Sequence, residues 1–295
     1  MTTPSLNDVV EAAHELWPVS LAQDWDASGL VSGHPDAPVD RVLFAVDAVQ
    51  GTAREAIDAE CQLLITHHPL LMRGASFLPS SNDKGRVLHT LIEGGCGLLA
   101  SHTNADSMLG GVSDALIEAC GVESARPLGD PEGETGIGRV GDLPHETTLG
   151  DLARRLASVL VPTAGGLRVA GPKDGTVRRV AVCGGAGDSL FDEVRHAGAD
   201  VYVTADLRHH PASEARERAL IDGGAPYLID CSHFASEELW LAHGARMLQE
   251  NLAGKGFEVE ILLSSVNTDP WDFVIVPEDV PVSASTDPEG SGYAR

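Results

Sequence analysis

An internal repeat of strand, helix and strand constrains the fold of this chain more than any other feature. "RVLFAVDA", "TAREAIDAE" and "QLLITHHP" are followed later by "RRVAVCGGAGDSLFDEVRHAGADVYVTADLRHHP", which has the same order of elements. A shift of 138 positions places Arg41 on Arg179 and Leu63 on Val201 without a gap. A generic alternation of strands and helices, common to all α/β proteins, explains this similarity less well, because the agreement extends over about 25 residues. The pattern predicts two related α/β halves with parallel strands covered by helices.

A second pair of motifs extends the repeat to the ends of the strands. "SHTNAD" begins at Ser101 and "SHFASE" begins at Ser232, and both read S-H-x-x-x-acid. The first shift also places His68 on Asp206, at the ends of equivalent strands. Because open α/β sheets bind ligands at the carboxyl ends of their strands, we expect these side chains to meet in one crevice.

The division of the chain follows from the same pattern. We assign residues 1–125, together with the C-terminal segment, to the first α/β half and residues 126–276 to the second. Glycine, proline and acidic residues dominate from Val122 to Thr147, which predicts a loop-rich connection. Residues 277–295 are polar and poor in apolar side chains, which favours a disordered tail.

The charge of the chain argues against two kinds of partner. Its 44 acidic and 20 basic residues give a formal net charge of -24. This charge repels nucleic-acid phosphates and anionic lipids, so neither a nucleic acid nor a membrane is an expected partner. The five cysteines are odd in number and form no C-x-x-C motif, and the N-terminus shows no apolar leader. These features favour a cytoplasmic protein with free thiols.

Four groups of histidines and carboxylates follow predicted strands. They are His67 with His68, His102 with Asp106, Asp206 with His209 and His210, and His233 with Glu237. Mixed imidazole and carboxylate sets suit Zn, Fe, Mn, Co or Ni, whereas a thiolate site would need paired cysteines. Pro69 keeps His68 out of the helical conformation, so both rings of the pair can face one crevice. A carboxylate from Asp106 or Glu237 could then bridge two cations about 3.5–4 Å apart.

The two His-His pairs could also occur by chance. With 12 histidines in 295 positions, chance gives about half a His-His pair per chain, so two pairs are only mildly unusual. Their positions after apolar strands favour a metal site formed by five residues: His67, His68, Asp106, His233 and Glu237. His209 and His210 fit a solvated loop about equally well. We therefore expect an α/β fold with two topologically related halves facing a central metal-binding crevice.

One further motif resembles a dinucleotide-binding fingerprint. "GIGRVG", from Gly136 to Gly141, fits G-x-G-x-x-G. No strand is predicted before it, and Pro144 follows where a helix would have to begin, so we do not expect a dinucleotide site. Neither a P-loop nor a G-x-S-x-G nucleophile motif occurs in the sequence.

Taken in order, these motifs resemble the NIF-three-like family, also called GTP cyclohydrolase 1 type 2 homologues. The resemblance starts at "LAQDWDASGLVSG" and continues through "THHP", "SHTNAD", "GGAGDSL", "TADLRHH", "SHFASE" and "NTDPW". It covers Trp17 to about Val276. It implies a dinuclear centre with two divalent metal ions per chain, bound by the five residues named above. It also implies two α/β domains of related topology and a homohexamer.

The sequence departs from the family pattern at three positions. Ala27 replaces an asparagine, Ala205 a glycine, and Ser232 the glycine before His233. None of these changes removes an implied ligand, but we expect Ser232 to narrow the approach to the metals. Longer family members carry a further domain between the halves. The span from Asp106 to His233 is short here, so we expect no inserted domain.

Two functions remain open from the sequence. As a metal-dependent hydrolase, the protein would act on a nucleotide or a related small molecule, with Glu237 and Asp106 transferring protons. His102, Asp206 and His210 would then orient the metal ligands from outside. The family name points to GTP, although no residue pattern here recognises guanine. As the alternative, the chain would be a non-catalytic metal-binding, metal-delivery or regulatory protein.

Overall fold

The computed structural model describes residues 2–130 and 133–275, and the predicted tail at residues 277–295 lies outside them. The strands are β1 (Gly29–Ser32), β2 (Arg41–Ala45), β3 (Leu63–Thr66), β4 (Gly97–Ala100), β5 (Ala125–Pro127), β6 (Arg139–Thr148), β7 (Arg168–Ala170), β8 (Thr176–Ala186), β9 (Val201–Ala205), β10 (Tyr227–Cys231) and β11 (Glu260–Leu263). The helices are α1 (Leu6–Leu16), α2 (Gln50–Asp58), α3 (Asp83–Glu93), α4 (Thr103–Ser107), α5 (Val112–Cys120), α6 (Leu149–Val159), α7 (Phe191–His196), α8 (His209–Ile221) and α9 (His233–Gly254). None of these helices is long and apolar enough to cross a membrane.

The first sheet has five strands in the order β1-β4-β3-β2-β11. β4, β3, β2 and β11 run parallel, and the edge strand β1 is antiparallel to β4. β3 is buried at each of its positions, as expected for a strand covered on both faces by helices. β11 comes from the C-terminal segment and pairs with β2, with Glu260 opposite Arg41. The C-terminal segment therefore completes the first sheet.

The second sheet has six strands in the order β5-β6-β8-β9-β10-β7. β8, β9 and β10 run parallel, and the remaining pairs are antiparallel. The prediction of a loop-rich connection from Val122 to Thr147 is wrong over β5 and most of β6. β6 pairs with β8, and the pairing is irregular between Asp142 and Thr147, around Pro144. The glycine, proline and acidic residues suggested a loop, but they are compatible with β6. β5 pairs with only a short part of β6, and a strand edge without a hydrogen-bonded neighbour tolerates proline and charged residues.

Helix α9 contacts strands of both sheets, and helices α5 and α9 each bury side chains in the cores of both halves. On α5, Val112 packs into the first core and Leu116 into the second. On α9, Trp240 is fully buried and lies edge-on to Trp17, with 5.2 Å between ring centroids. Replacing a buried tryptophan by alanine costs about 3–5 kcal/mol of stability. Because α9 belongs to both cores, residues at its start are held in place relative to both sheets.

Short sequence signals determine where helices begin and end. Ser5 caps α1 because its hydroxyl accepts a hydrogen bond from the N–H of Asp8 (3.2 Å), whose carboxylate accepts one from the N–H of Ser5 (2.8 Å). The hydroxyl of Thr148 caps α6 in the same way, through the N–H of Asp151 (3.1 Å). α5 ends at Gly121, whose φ of 97° is left-handed. These residues fix the start of α1, the start of α6 and the end of α5.

Candidate metal centre

His67 and His68 follow β3 at the carboxyl edge of the first sheet. Their N–H groups donate to the carbonyls of Ala45 (3.1 Å) and Val46 (2.9 Å), which continues the pairing with β2 beyond the end of β3. His102 follows the adjacent strand β4. Because parallel strands end at the same edge, three imidazoles from two strands are gathered there.

His233 and Glu237 lie at the start of α9 and belong to the second half. Ser232 caps the helix by accepting a hydrogen bond from the N–H of Ala235 (3.3 Å). Glu237 is one turn further along the same face, and its Oε1 is 2.9 Å from Nε2 of His233. Asp206 follows β9 with a left-handed φ of 54°, and its Oδ2 is 2.7 Å from Nδ1 of His233. The fold thus brings Asp206 to His233, which lies 27 positions further along the chain.

His67 is fully buried, and one of its ring nitrogens has no hydrogen-bond partner among residues 2–130 and 133–275. Nδ1 donates to the carbonyl oxygen of Ser101 (3.0 Å), so the ring hydrogen is on that nitrogen. Nε2 is therefore an acceptor, and it lies 3.5 Å from Oε1 of Glu237 and 3.7 Å from Oδ1 of Asp106. A buried lone pair that faces two carboxylates is satisfied by a cation between them.

His68 and His233 face each other, with their Nε2 atoms 3.2 Å apart. Nδ1 of His68 donates to Asp47 (2.7 Å), and Nδ1 of His233 donates to Asp206 (2.7 Å). Both Nε2 lone pairs are then directed into the same space beside Glu237. Ligand atoms of His68, His233 and Glu237 lie within 4.8 Å of one another, so these residues could hold a metal ion.

Carboxylates raise the pKa values of the facing imidazoles. Burial alone would lower the pKa of His68, but Glu237 and Asp47 outweigh it and raise that pKa to about 11. Burial is likewise outweighed at His233, where Glu237 and Asp206 raise the pKa to about 9. Burial would raise the pKa of Glu237, yet the neighbouring histidines hold it well below its usual value. The site therefore attracts positive charge, and a metal ion competes there with protons.

His102 lies closer to this centre than the sequence suggested. Its Nδ1 donates to Asp26 (2.8 Å), and its ring centroid is 5.1 Å from that of His67 and 5.5 Å from that of His68. Ligand atoms of the three histidines lie within 4.8 Å of one another, so His102 could also bind a metal directly. Asp106 follows on α4, and burial outweighs the nearby histidine charges to raise its pKa.

A glycine makes room for the Glu237 carboxylate. Gly185, in β8, has a left-handed φ of 64°, and a Cβ there would lie 2.4 Å from Oε1 of Glu237 and 3.1 Å from Nε2 of His233. The N–H of Gly185 donates to the hydroxyl of Ser236 (2.9 Å), and its carbonyl accepts from the hydroxyl of Thr204 (3.0 Å). The backbone is thus fixed at a position where any side chain would collide with the centre.

Two carboxylates of the centre are missing from the sequence prediction. Asp47 directly follows β2, and its place at the carboxyl edge of the sheet was the one available signal. Asp26 lies in "DWDASGL", which marked the family without suggesting a role. His210, predicted to orient a ligand, is exposed at the start of α8, with its ring 5.2 Å from that of His209. Within the described residues, His210 is in neither of the two groups that could hold a metal.

A cavity of about 940 Å³ opens beside the centre. Its lining includes His68 and His233 together with their hydrogen-bond partners Asp47 and Asp206. Ser232 also lines it. The volume is within the range of small-molecule sites, and the histidines are accessible from it.

The match to a family model covers nearly all of the described chain. A model described as Duf34/NIF3 (NGG1p interacting factor 3) matches residues 4–270. The chain belongs to the Duf34/NIF3 family. A Streptomyces coelicolor relative named GTP cyclohydrolase 1 type 2 homolog is 49% identical over 272 residues, which are 91% of this chain and 94% of the relative. A Clostridium perfringens protein of the same name is 30% identical over 271 residues, 91% of this chain and 99% of its own.

Solved structures show the same fold. A Bacillus cereus protein related to NIF3 has a TM-score of 0.82 at 25% identity, and the match covers 93% of this chain and 100% of that chain. A Staphylococcus aureus hypothetical protein has a TM-score of 0.85 at 25% identity, covering 92% of this chain and 100% of that one. The predicted α/β fold and the predicted resemblance to the Duf34/NIF3 family are confirmed.

Ala27, Ala205 and Ser232, which we expect to depart from the family pattern, occupy defined places near the site. The N–H of Ala27 donates to the carboxylate of Asp26 (2.6 Å), and Ala205 is buried at the end of β9. Ser232 caps α9, and its hydroxyl donates to Oδ1 of Asp269 (2.6 Å). The serine thus links the start of α9 to the segment that follows β11, which a glycine could not do.

Proposed function

We propose that this protein is a dinuclear metal-binding hydrolase that acts on a nucleotide or a related small molecule, as a GTP cyclohydrolase 1 type 2 homologue. The observation that carries the proposal is the pair of Nε2 atoms in His68 and His233, 3.2 Å apart beside Glu237. Two neutral imidazoles with hydrogen on Nδ1 cannot donate to each other through Nε2, and two imidazolium rings would repel each other, so a shared metal cation explains their approach. Nitrogen and oxygen ligands without a thiolate suit Zn, Fe, Mn, Co or Ni.

A second cation fits beside His67. Oε1 of Glu237 is 3.5 Å from Nε2 of His67, while Oε2 is 3.0 Å from Nε2 of His68, so one carboxylate faces both positions. Asp106 lies 3.7 Å from His67, and His102 adds an imidazole on this side. Carboxylate-bridged pairs of this kind hold metal ions about 3.5–4 Å apart. We therefore propose Glu237 as the bridging ligand.

The residues around the centre have distinct roles in this proposal. When bound, two divalent cations supply Lewis acidity and lower the pKa of water. Burial raises the pKa of Asp106, so its carboxyl group holds a proton more readily than an exposed aspartate and is the candidate for proton transfer. Glu237 stays negative and is better suited to bind the cations. Asp47 and Asp206 hold their imidazoles in the tautomer that binds metal.

The adjoining cavity supports an enzyme over a storage or delivery protein. Its volume of about 940 Å³ admits a small molecule to His68 and His233, which metal storage does not require. Among its described lining residues, the one arginine or lysine is Arg168, which donates to Asp230 (2.7 Å). A phosphate group would thus be bound mainly by the metals. The exposed ring of Trp271 offers a planar surface to a base.

Metal titration is the first test of this proposal. The full chain, treated with a chelator and retitrated, should take up close to two Mn²⁺ or Zn²⁺ ions. His68→Ala and His233→Ala should each lower the affinity for at least one of them. The exposed His34→Ala is the matched control and should bind like the wild type. No uptake by the wild type would refute the proposal.

Activity needs a separate assay. Metal-loaded protein should hydrolyse at least one member of a nucleotide panel that includes GTP, for which formate release is measured. Asp106→Asn should bind metal more weakly and lose turnover, whereas the exposed Asp36→Asn should keep both. Two bound metals with no turnover on any member of the panel would favour the alternative, a non-catalytic metal-binding, metal-delivery or regulatory protein.

A further inference from the structure

The GIGRVG segment leads into β6, and its arginine is buried. Gly136 (φ 144°) and Gly138 (φ 76°) adopt conformations that favour glycine. Arg139 is the first residue of β6, and its side chain has no exposed surface. A buried arginine is rare and needs partners for its nitrogen donors. Its partners therefore indicate what the segment does.

Each guanidinium nitrogen of Arg139 has a partner. Nε and Nη2 bind the two carboxylate oxygens of Asp114, at 2.9 and 2.8 Å, in a bidentate ion pair. Nη1 donates to the carbonyl of Gly136 (2.5 Å), within the same glycine-rich segment. Nη2 also donates to the carbonyls of Met108 (2.7 Å) and Ser107 (3.4 Å). One side chain from the second half thus binds the start of α5 and the turn before it.

Ser107 and Met108 directly follow Asp106 at the end of α4. Within the described residues, the Asp106 carboxylate forms no hydrogen bond, and its closest charged partner is Nε2 of His67 at 3.7 Å. Its place therefore depends on the backbone of the short helix α4 and of the turn after it. The N–H of Gly136 also donates to the Ser107 carbonyl (2.8 Å). The glycine-rich segment therefore binds this turn both through the Arg139 side chain and through its own backbone.

We propose that Arg139 is a positioning residue for the metal centre, which holds the turn after Asp106 and so keeps that carboxylate within reach of a cation bound at His67. The inference rests on the proposed dinuclear centre. Arg139 acts through the backbone of Ser107 and Met108. Metal binding at His67 thereby depends on contact between the two halves. The cation position at His68 lies beside Asp47 and Glu237, so metal binding there does not depend on Arg139.

Lysine tests the geometry, because it keeps the charge and loses the planar fork of donors. In chelator-treated full-length Arg139→Lys, Mn²⁺ binding should fall to about one ion per chain, with affinity for the second lowered about 10–100-fold. Electron paramagnetic resonance should show a coupled Mn²⁺ pair in the wild type and an uncoupled six-line spectrum in the variant. Leu156→Ala, fully buried in the second core, loses stability without contacting the turn and should keep the coupled pair.

The outcomes separate this inference from the proposed function. Two Mn²⁺ ions of unchanged affinity in folded Arg139→Lys would overturn the inference and leave the dinuclear centre standing. No Mn²⁺ uptake by the wild type would remove both. If circular dichroism shows that Arg139→Lys is unfolded, Asp114→Asn carries the test, because it removes the charge that orients the guanidinium. A weaker second Mn²⁺ in that variant supports the inference, and unchanged binding overturns it.

Discussion

Nε2 of His68 lies 3.2 Å from Nε2 of His233, although 165 positions separate the two residues in the chain. Each ring is oriented by a carboxylate on its far nitrogen, and each is carried by an element with a buried core behind it. Contacts within the protein therefore hold the two ligand nitrogens close together. A preorganised site binds more tightly than a flexible one, because less conformational entropy is lost on binding.

Asp47→Asn should weaken metal binding. The carboxylate accepts a hydrogen bond from Nδ1 of His68 and so fixes the tautomer that presents Nε2 to a metal. We expect affinity for one ion to fall about 10–100-fold, as measured by calorimetric titration with Zn²⁺. The exposed Asp36→Asn should bind like the wild type. Equal affinities in the two variants would show that Asp47 does not orient His68.

Gly185→Ala should disrupt the centre, and Gly198→Ala should not. Both glycines have a left-handed φ, of 64° and 63°, so alanine costs each about 1–2 kcal/mol of stability. A Cβ at position 185 would lie 2.4 Å from Glu237, whereas no atom of the described part of the chain lies within 4 Å of one at position 198. Metal affinity should therefore fall in the first variant alone, and that variant should also lose more thermal stability because of the collision. Equal metal affinity in both variants would contradict the collision.

The cysteine thiols should resist modification in the folded protein. Burial raises the pKa of Cys61 to about 11 and the pKa values of Cys96 and Cys231 to about 12, and the remaining two are raised as well. The reactive thiolate is therefore scarce at pH 8, and reagents cannot reach it. An aromatic disulfide reagent should label none of the five cysteines in buffer and all five in guanidinium chloride. Rapid labelling of any native thiol would contradict the burial.

Acid should release the segment that follows β11. Burial would raise the pKa of Glu55, but hydrogen bonds from Ser264 and Ser265 outweigh it and lower that pKa below 4.5. A lowered folded-state pKa means that ionised Glu55 stabilises the fold above pH 4.5 and loses this effect as the pH falls through the folded value. Glu55→Gln should thus be less stable than wild type at pH 7, and the difference should shrink as the pH falls below 4.5. The exposed Glu123→Gln should show no such trend.

The repeat predicted the α/β fold because buried parallel strands read as apolar runs, as in β3 and β9. It could not predict β1, β5, β6 and β7, whose antiparallel pairing leaves mixed and polar sequences. Pro144 in particular conceals β6, since proline is tolerated where the ladder is irregular. The homohexamer and the cytoplasmic location stay predictions, and sedimentation of the purified chain would check the former.

The five predicted ligands meet because strand ends and a helix start converge, which the repeat indicated through His68 and Asp206. Asp47 and Asp26 have no equivalent in the repeat and no short-range pattern, so their contacts with His68 and His102 depend on tertiary packing alone. From the sequence we expect His102 to orient a metal ligand without binding the metal itself. Sequence spacing does not show how close its ring lies to the rings of His67 and His68. The role of Arg139 could not be predicted from the sequence either. Its contacts with Met108 and Asp114 depend on tertiary packing, and its segment resembles a dinucleotide-binding motif.

The pairing of β11 with β2 has a consequence for synthesis of the protein on the ribosome. β2, β3 and β4 emerge early with their histidines, but the sheet lacks its last strand until Glu260–Leu263 has been translated. Glu237 and His233 also arrive late, on α9. A nascent chain therefore presents His67, His68 and Asp106 beside an open sheet edge, and the full set of proposed ligands exists only once α9 has been translated.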